Sequence, residues 1–228
     1  MSKLSGYFTK LEICLWLMSV TAICISYFAF DGSDILILTA SIIGATFLIL
    51  NAKGNPIGQL LTVVFSVLYG VVSWEFSYYG EMITYLGMTL PMAVLALISW
   101  LRNPYNNKRT EVKVNRISAR DVVLMLVLSL VVTCLFYHIL KYFNTVNLLP
   151  STLSVTTSFM AVYLTFRRSP YFALAYAAND IVLIILWSLA SVEDTSYISV
   201  VVCFTVFCVN DLYGFFNWKK MEKKQKMG

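Results

Sequence analysis

The sequence predicts an all-α membrane protein with eight transmembrane helices, in which one peripheral N-terminal helix precedes a three-plus-one-plus-three bundle of parallel repeats. Three observations lead there: eight apolar stretches of membrane-crossing length, basic residues confined to alternate connections, and a turn motif that recurs in both halves. The stretches fall at residues 11–30, 35–52, 57–74, 82–101, 121–140, 152–166, 170–190 and 196–217. Most are near the roughly 20 residues a helix needs to cross about 30 Å of hydrocarbon.

Every Lys and Arg except Lys141 lies before the first stretch, after the last, or between two and three, four and five, or six and seven. The opposite connections hold Asp31, Asp34, Glu75, Glu81, Glu193 and Asp194. The positive-inside rule therefore places both termini in the cytoplasm. At 228 residues, 59% hydrophobic and 13% charged, the chain has no room for a soluble domain beyond its connections. Its net charge of +5 is a topology signal, with no nucleic-acid partner implied, because the basic residues sit at membrane edges beside anionic headgroups. No small-residue cleavage site follows Phe30, so the first span is expected to be retained. Cys14, Cys24, Cys134, Cys203 and Cys208 lie in apolar runs without a C-x-x-C pair and read as free thiols.

The whole of 1–228 reads as one polytopic domain: an extra helix at 11–30, repeat one at 35–102, a linker helix at 121–143 and repeat two at 152–218. Lys53-Gly54-Asn55-Pro56 opens span three as Arg167-Arg168-Ser169-Pro170 opens span seven. Trp100-Leu101-Arg102 closes span four as Trp218-Lys219-Lys220 closes span eight. Parallel repeats need an odd number of crossings between them, which span five supplies; repeats of this kind place a solute site near the midplane. The first span offers only Ser19, Thr21 and Ser26 as polar groups, small enough to bond back to their own helix, and is assigned no transport chemistry.

An ionisable side chain in hydrocarbon is costly unless it faces protein or water, so Asp180 and Asp211 need explaining. Each follows an Asn, and Asn179-Asp180 lies about 15 Å into span seven at 1.5 Å per residue. Gln59, Ser66, Tyr69 and Ser73 share one face of span three; Glu81, Thr84, Tyr85 and Met88 follow the same spacing in span four. Trp187 is seven residues beyond Asp180, and Asn210 leads a stripe with Tyr213 and Asn217. Rings interleaved with amides and hydroxyls suit a flat heteroaromatic ring joined to a sugar. Trp16, Trp74, Trp100 and Trp218 near span ends read as interface-belt residues. Pro91 in mid-span removes a backbone donor and permits a bend, whether hinge or static kink.

The chain lacks a G-x-x-x-x-G-K-[ST] loop for ATP, a His or Cys cluster beside His138 for a metal, an intramembrane Lys for a retinal Schiff base, and a D-D-x-x-D pair. No enzyme activity, cofactor or metal is expected.

The segment Tyr79-Gly80-Glu81-Met82-Ile83-Thr84-Tyr85-Leu86-Gly87-Met88-Thr89-Leu90-Pro91, with Ser99-Trp100-Leu101-Arg102-Asn103-Pro104, resembles the PnuC family of vitamin transporters. Asn179-Asp180 with Trp187, and Asn210-Asp211-Leu212-Tyr213-Gly214 with Asn217-Trp218, resemble its second-repeat motifs; Tyr176 stands where that pattern has Trp. The resemblance covers spans two to eight and implies a bundle related to the SWEET carriers. It also implies facilitated uptake of nicotinamide riboside across a bacterial inner membrane, trapped inside by phosphorylation. Gln59, Tyr69, Tyr85, Asn179, Asp180, Trp187 and Asn210 are the expected solute-binding residues. The alternatives are proton-coupled transport of thiamine, riboflavin or a nucleoside, with Asp180 or Glu81 carrying the proton, and a ligand-binding membrane receptor. The expected partners are the solute and the bilayer; a homo-oligomer is compatible with the sequence. Cysteine-accessibility mapping should place residues 103–119 and the C-terminus inside, and 31–34 and 193–195 outside; an exterior C-terminus would undo the charge argument and the repeats together.

Overall fold

The computed structural model describes residues 6–32, 35–75 and 79–227. Lys3 and Asp34, which enter the charge pattern, lie outside the described residues. Among the described residues, eight helical spans are long and apolar enough to cross a membrane. They are built from α1 (Lys10–Ser26), α2 (Ile35–Ala52), α3 (Pro56–Glu75), α4 (Tyr79–Ile83) continued through a π turn (Thr84–Thr89) into α5 (Leu90–Leu101), α6 (Ala119–Tyr142), α7 (Leu148–Phe166), α8 (Tyr171–Ala190) and α9 (Ile198–Met227).

Local chemistry accounts for the ends. Thr9 and Glu12 form a capping box on α1, and Ser118 and Asp121 form one on α6, each pairing satisfying backbone donors at a helix start. A π turn at Tyr27–Asp31 closes α1 against Gly32, whose φ of 64° is open to glycine. Helix α7 begins four residues before the expected 152 because Pro150 sits in its first turn, where no intrahelical donor is needed. Helix α9 continues past 217 through the basic tail, where Glu222 pairs with Lys219 at 2.7 Å and Lys226 at 2.8 Å.

The two halves fold alike. In each, the chain leaves one helix, passes a residue with positive φ and enters the next behind a Pro. Gly54 (φ 66°) precedes Asn55-Pro56, and Arg168 (φ 54°) precedes Ser169-Pro170. Asn55 Oδ1 accepts from Ile57 N at 3.0 Å, and Ser169 Oγ accepts from Tyr171 N at 3.4 Å. Arg168 holds a conformation that costs a non-glycine residue about 1 to 2 kcal/mol. Its guanidinium offsets part of that by donating to Ser99 Oγ at 2.6 Å and Lys113 O at 3.2 Å.

Between the halves the contacts are reciprocal: α2 packs on α9, and α7 packs on α5. Trp218 Nε1 donates to Asn51 O at 2.7 Å, while Trp100 Nε1 donates to Thr165 O at 2.9 Å. Asn217 Nδ2 donates to Ala52 O at 2.7 Å, while Ser99 Oγ donates to Phe166 O at 2.9 Å. Both indoles are fully buried, with centroids 5.3 Å apart. The sequence reading of Trp100 and Trp218 as belt residues is therefore corrected; Trp74, 60% exposed, keeps that reading.

Two further corrections concern the basic end. The basic connection between α5 and α6, to which the sequence reading gave no secondary structure, contains a hairpin, β1 (Pro104–Tyr105) and β2 (Lys108–Val112), turned by Asn106 and Asn107 with φ of 48° and 57°. Val112 N donates to Gly54 O at 2.9 Å and Asn115 N to Arg168 O at 3.0 Å, so this connection bridges both inter-helix turns. Helix α1 packs at the edge of the bundle, on α9 and α2, but its polar list omitted Glu12. That carboxylate is 1% exposed, pairs with Lys53 Nζ at 3.0 Å and accepts from Tyr213 OH at 3.0 Å.

Trp100→Phe and Trp218→Phe should each lose one hydrogen bond and part of a buried ring, about 2 kcal/mol apiece, whereas Trp74→Phe should be near neutral. Thermal melts of the purified variants will measure this. Strongly unequal losses at 100 and 218 would sink the equivalence of the two contacts.

Candidate functional site

A cavity with about 1050 Å³ of empty space lies between the two halves, on the far side of the paired indoles. Phe172 separates them: its ring centroid is 4.9 Å from Trp218 and 6.2 Å from Trp100, and it lines the cavity floor. Both repeats and α6 contribute to the wall, and α1 contributes none.

The first repeat supplies rings. From α3 come Phe65 and Tyr69, and from the π turn Tyr85; Tyr69 and Tyr85 have centroids 4.6 Å apart, and Phe65 and Tyr69 5.3 Å apart. Phe47 of α2 packs edge-on against Phe65 at 5.3 Å. The second repeat supplies hydrogen-bonding groups. Thr157 and Ser158 of α7 both donate to Asn179 Oδ1, at 2.8 and 3.1 Å, which fixes the orientation of the amide. Beside it the carboxyl groups of Asp180 on α8 and Asp211 on α9 face each other, both at most 5% exposed. Asp180 Oδ2 is buried and has no hydrogen-bond partner among the described residues, and Asp180 itself is one of the residues lining the cavity. Glu81 of α4 adds a third carboxyl, and no Lys, Arg or His is among the described residues that line the cavity.

Of the seven residues expected to bind solute, Tyr69, Tyr85, Asn179, Asp180 and Trp187 line this cavity together. Gln59 and Asn210 do not, which corrects their placement. Gln59 lies where α2 closes over α3, and its Nε2 donates to Asn51 Oδ1 at 2.9 Å; it reaches the cavity only through Asn51. Asn210 turns away, donating to Ser19 Oγ at 2.8 Å and Val206 O at 2.8 Å. Successive helix residues point about 100° apart, so when Asp211 faces inward Asn210 cannot. The first span thus holds a residue assigned to the site.

Several lining residues were not among the seven: Asp211, Glu81, Thr84, Tyr176, Ser154 and Ser158. Ser151, Ser154 and Ser158 repeat at three and four along α7, the same one-face spacing that exposed the stripe on span three, and would have revealed that wall. Tyr176, where a Trp was expected, still presents a ring to the cavity.

A family model described as nicotinamide mononucleotide transporter matches residues 34–220. The chain belongs to that family. Its relatives include the nicotinamide riboside transporter PnuC of Neisseria mucosa, 25% identical over 97% of this chain and 86% of the relative. The protein of the same name from Haemophilus influenzae is 24% identical over 83% of this chain and 81% of its own. A crystal structure of the vitamin B3 transporter PnuC superposes with a TM-score of 0.82 at 22% identity, covering 96% of this chain and 95% of that one. The fold is therefore the PnuC fold, and the eight-helix arrangement read from the sequence stands.

Within this PnuC-family chain, Asn210→Ala should lower the melting temperature by loosening α1 from α9, yet leave solute affinity within about threefold. Melting and ligand titration on the same purified variant will check it. A loss of affinity comparable to that at Asp180 would return Asn210 to the site.

Proposed function

We propose that this chain is a uniporter for nicotinamide riboside, working by alternating access between the two repeats in a bacterial inner membrane. The single observation behind the solute is the cavity's lining: three carboxyl groups and, among the described residues, no base, beside packed aromatic rings. Nicotinamide riboside is a pyridinium cation with a flat ring, a carboxamide and a sugar diol. The cation meets a negative field made stronger by low-dielectric walls. Tyr69, Tyr85 and Trp187 take the ring; Asn179 and Asp180 take the carboxamide or ribose. Both of the relatives above bear the name nicotinamide riboside transporter, whereas the family description names the mononucleotide. A phosphate beside Asp180, Asp211 and Glu81 would bring like charges together with no counter-cation, so the riboside is the better fit. The basic end carries both inter-helix turns, and the positive-inside rule assigns it to the cytoplasm. A cytoplasmic kinase that phosphorylates the solute would keep uptake running inward.

Asp180→Asn keeps the shape and removes the charge, so the protein should fold while affinity for nicotinamide riboside falls about ten- to a hundredfold, the worth of one charged hydrogen bond. Asn179→Ala should weaken binding as well, and Trp74→Phe should leave it unchanged. Nicotinamide mononucleotide should show no binding at concentrations that saturate with the riboside. In liposomes loaded with a riboside kinase and ATP, uptake should persist when an ionophore collapses the proton gradient. Tight mononucleotide binding would overturn the riboside assignment, and loss of uptake under the ionophore would make the Asp180–Asp211 pair a proton carrier.

A further inference from the structure

A second, smaller space of about 440 Å³ adjoins the solute cavity, between α1, α2 and α9. Phe65, Tyr69, Phe204 and Phe207 line both, so these four rings form the wall between them. Beyond the wall the surroundings are mostly apolar, with Ile23, Leu38 and Val200 among them.

One of the four rings is seated differently from the rest. Phe207 of α9 stands with the tip of its ring on Gly44 of α2, and a Cβ built at Gly44 would overlap its Cζ and crowd Cε1 and Cε2 at 3.2 and 3.1 Å. Gly44 sits in mid-helix at ordinary φ, so no turn requires a glycine there; the close approach of the ring does. The same ring packs on Phe204, Phe47 and Phe65, with centroids 5.8, 6.4 and 6.5 Å away, and is 5% exposed. A glycine inside a helix costs roughly 1 kcal/mol relative to alanine, and here it makes a notch that sets how far the ring withdraws from the cavity.

We propose that Phe207, seated on Gly44, is the size-determining residue of the site: it ends the ring pocket at a length that suits a single six-membered ring and shuts the apolar space off from larger flat bases. The proposal rests on the solute reading above for the pocket's use, but the wall itself is a matter of packing. Without the ring at 207 the two spaces join, and the added volume is apolar, matching the dimethylbenzene end of a three-ring flavin. With a methyl at 44 the ring must move, and since α2 blocks retreat it moves toward the cavities.

The test uses the full chain in detergent, with nicotinamide riboside and riboflavin as probes. Phe207→Ala should gain at least tenfold in riboflavin affinity and lose less than that for nicotinamide riboside; Phe207→Leu, which leaves a smaller cavity, replaces it if the alanine variant aggregates. Gly44→Ala should weaken nicotinamide riboside about tenfold and lower the melting temperature, and both effects should vanish when Phe207 is already Ala or Leu, because the clash partner is gone. No gain in riboflavin affinity at Phe207→Ala or Phe207→Leu overturns the size role. A Gly44→Ala penalty that survives in those backgrounds overturns the notch. If the unsubstituted protein fails to bind nicotinamide riboside, the proposed solute falls, while the riboflavin comparison and the melting cycle still decide for or against the wall.

Discussion

Two indole N–H groups, one from each repeat, donate to the carbonyl at the end of a helix in the other repeat, and the bundle is organised around that exchange. Each accepting carbonyl also takes the N–H of the positive-φ residue in its own turn: Gly54 donates to Asn51 O and Arg168 to Thr165 O, both at 2.9 Å. One oxygen thus fixes both the turn that reverses the chain and the contact that joins the halves. A carbonyl oxygen has two lone pairs, so each indole takes the second acceptor position of an oxygen whose first is filled by its own turn. Because the two rings pack 5.3 Å apart behind Phe172, the same exchange closes one end of the cavity.

On this near-symmetric frame the chemistry is one-sided. Counting from the matched residues Pro56 and Pro170, Asn179 and Asp180 occupy the places of Phe65 and Ser66; counting from Trp100 and Trp218, Asp211 occupies the place of Ala93. Both repeats give rings, but the oriented amide and the carboxyl pair come from the second alone. Duplication accounts for the frame, and divergence at a few inward positions accounts for the pocket.

Much of this was legible in the sequence, and the illegible parts share a cause. Span positions follow from hydrophobic run length, and the matched turns from Pro and basic residues, because both are local properties of the chain. The burial of Trp100 and Trp218 is not local. An indole near a span end suits a lipid interface and a helix-end carbonyl equally well, and only the repeat's partner decides. Asn210 was misread for a related reason: a polar stripe marks a face but not what the face meets, and here α1 covers it with Ser19. Glu12 reads as a charge in a first turn, yet burial against Lys53 and Tyr213 makes it the pin holding that helix to the frame. The hairpin at 104–112 carried a local signal in Asn106-Asn107, but the charges around it drew the reading toward membrane orientation.

The fourth span shows how a backbone constraint becomes a feature of the site. Pro91 cannot donate to a carbonyl one turn back and its ring crowds that carbonyl, so a straight α-helix through Gly87 to Pro91 is unfavourable. The chain takes an extra residue into the preceding turn, and Leu90 N–H bonds Tyr85 O five positions back. In an α-helix, residues five apart lie about 140° apart around the axis, so Thr84 and Thr89 would face different neighbours. Closing the turn at five brings them nearly into line: Thr89 Oγ1 donates to Thr84 O at 3.3 Å, and both line the cavity with Tyr85. The bend expected of Pro91 is thus spent on lining the pocket, and its effect is to turn Thr84, Tyr85 and Thr89 onto one wall. Asn179 and Asp180 line the same chamber, so the proline of one repeat and the Asn-Asp step of the other both shape it.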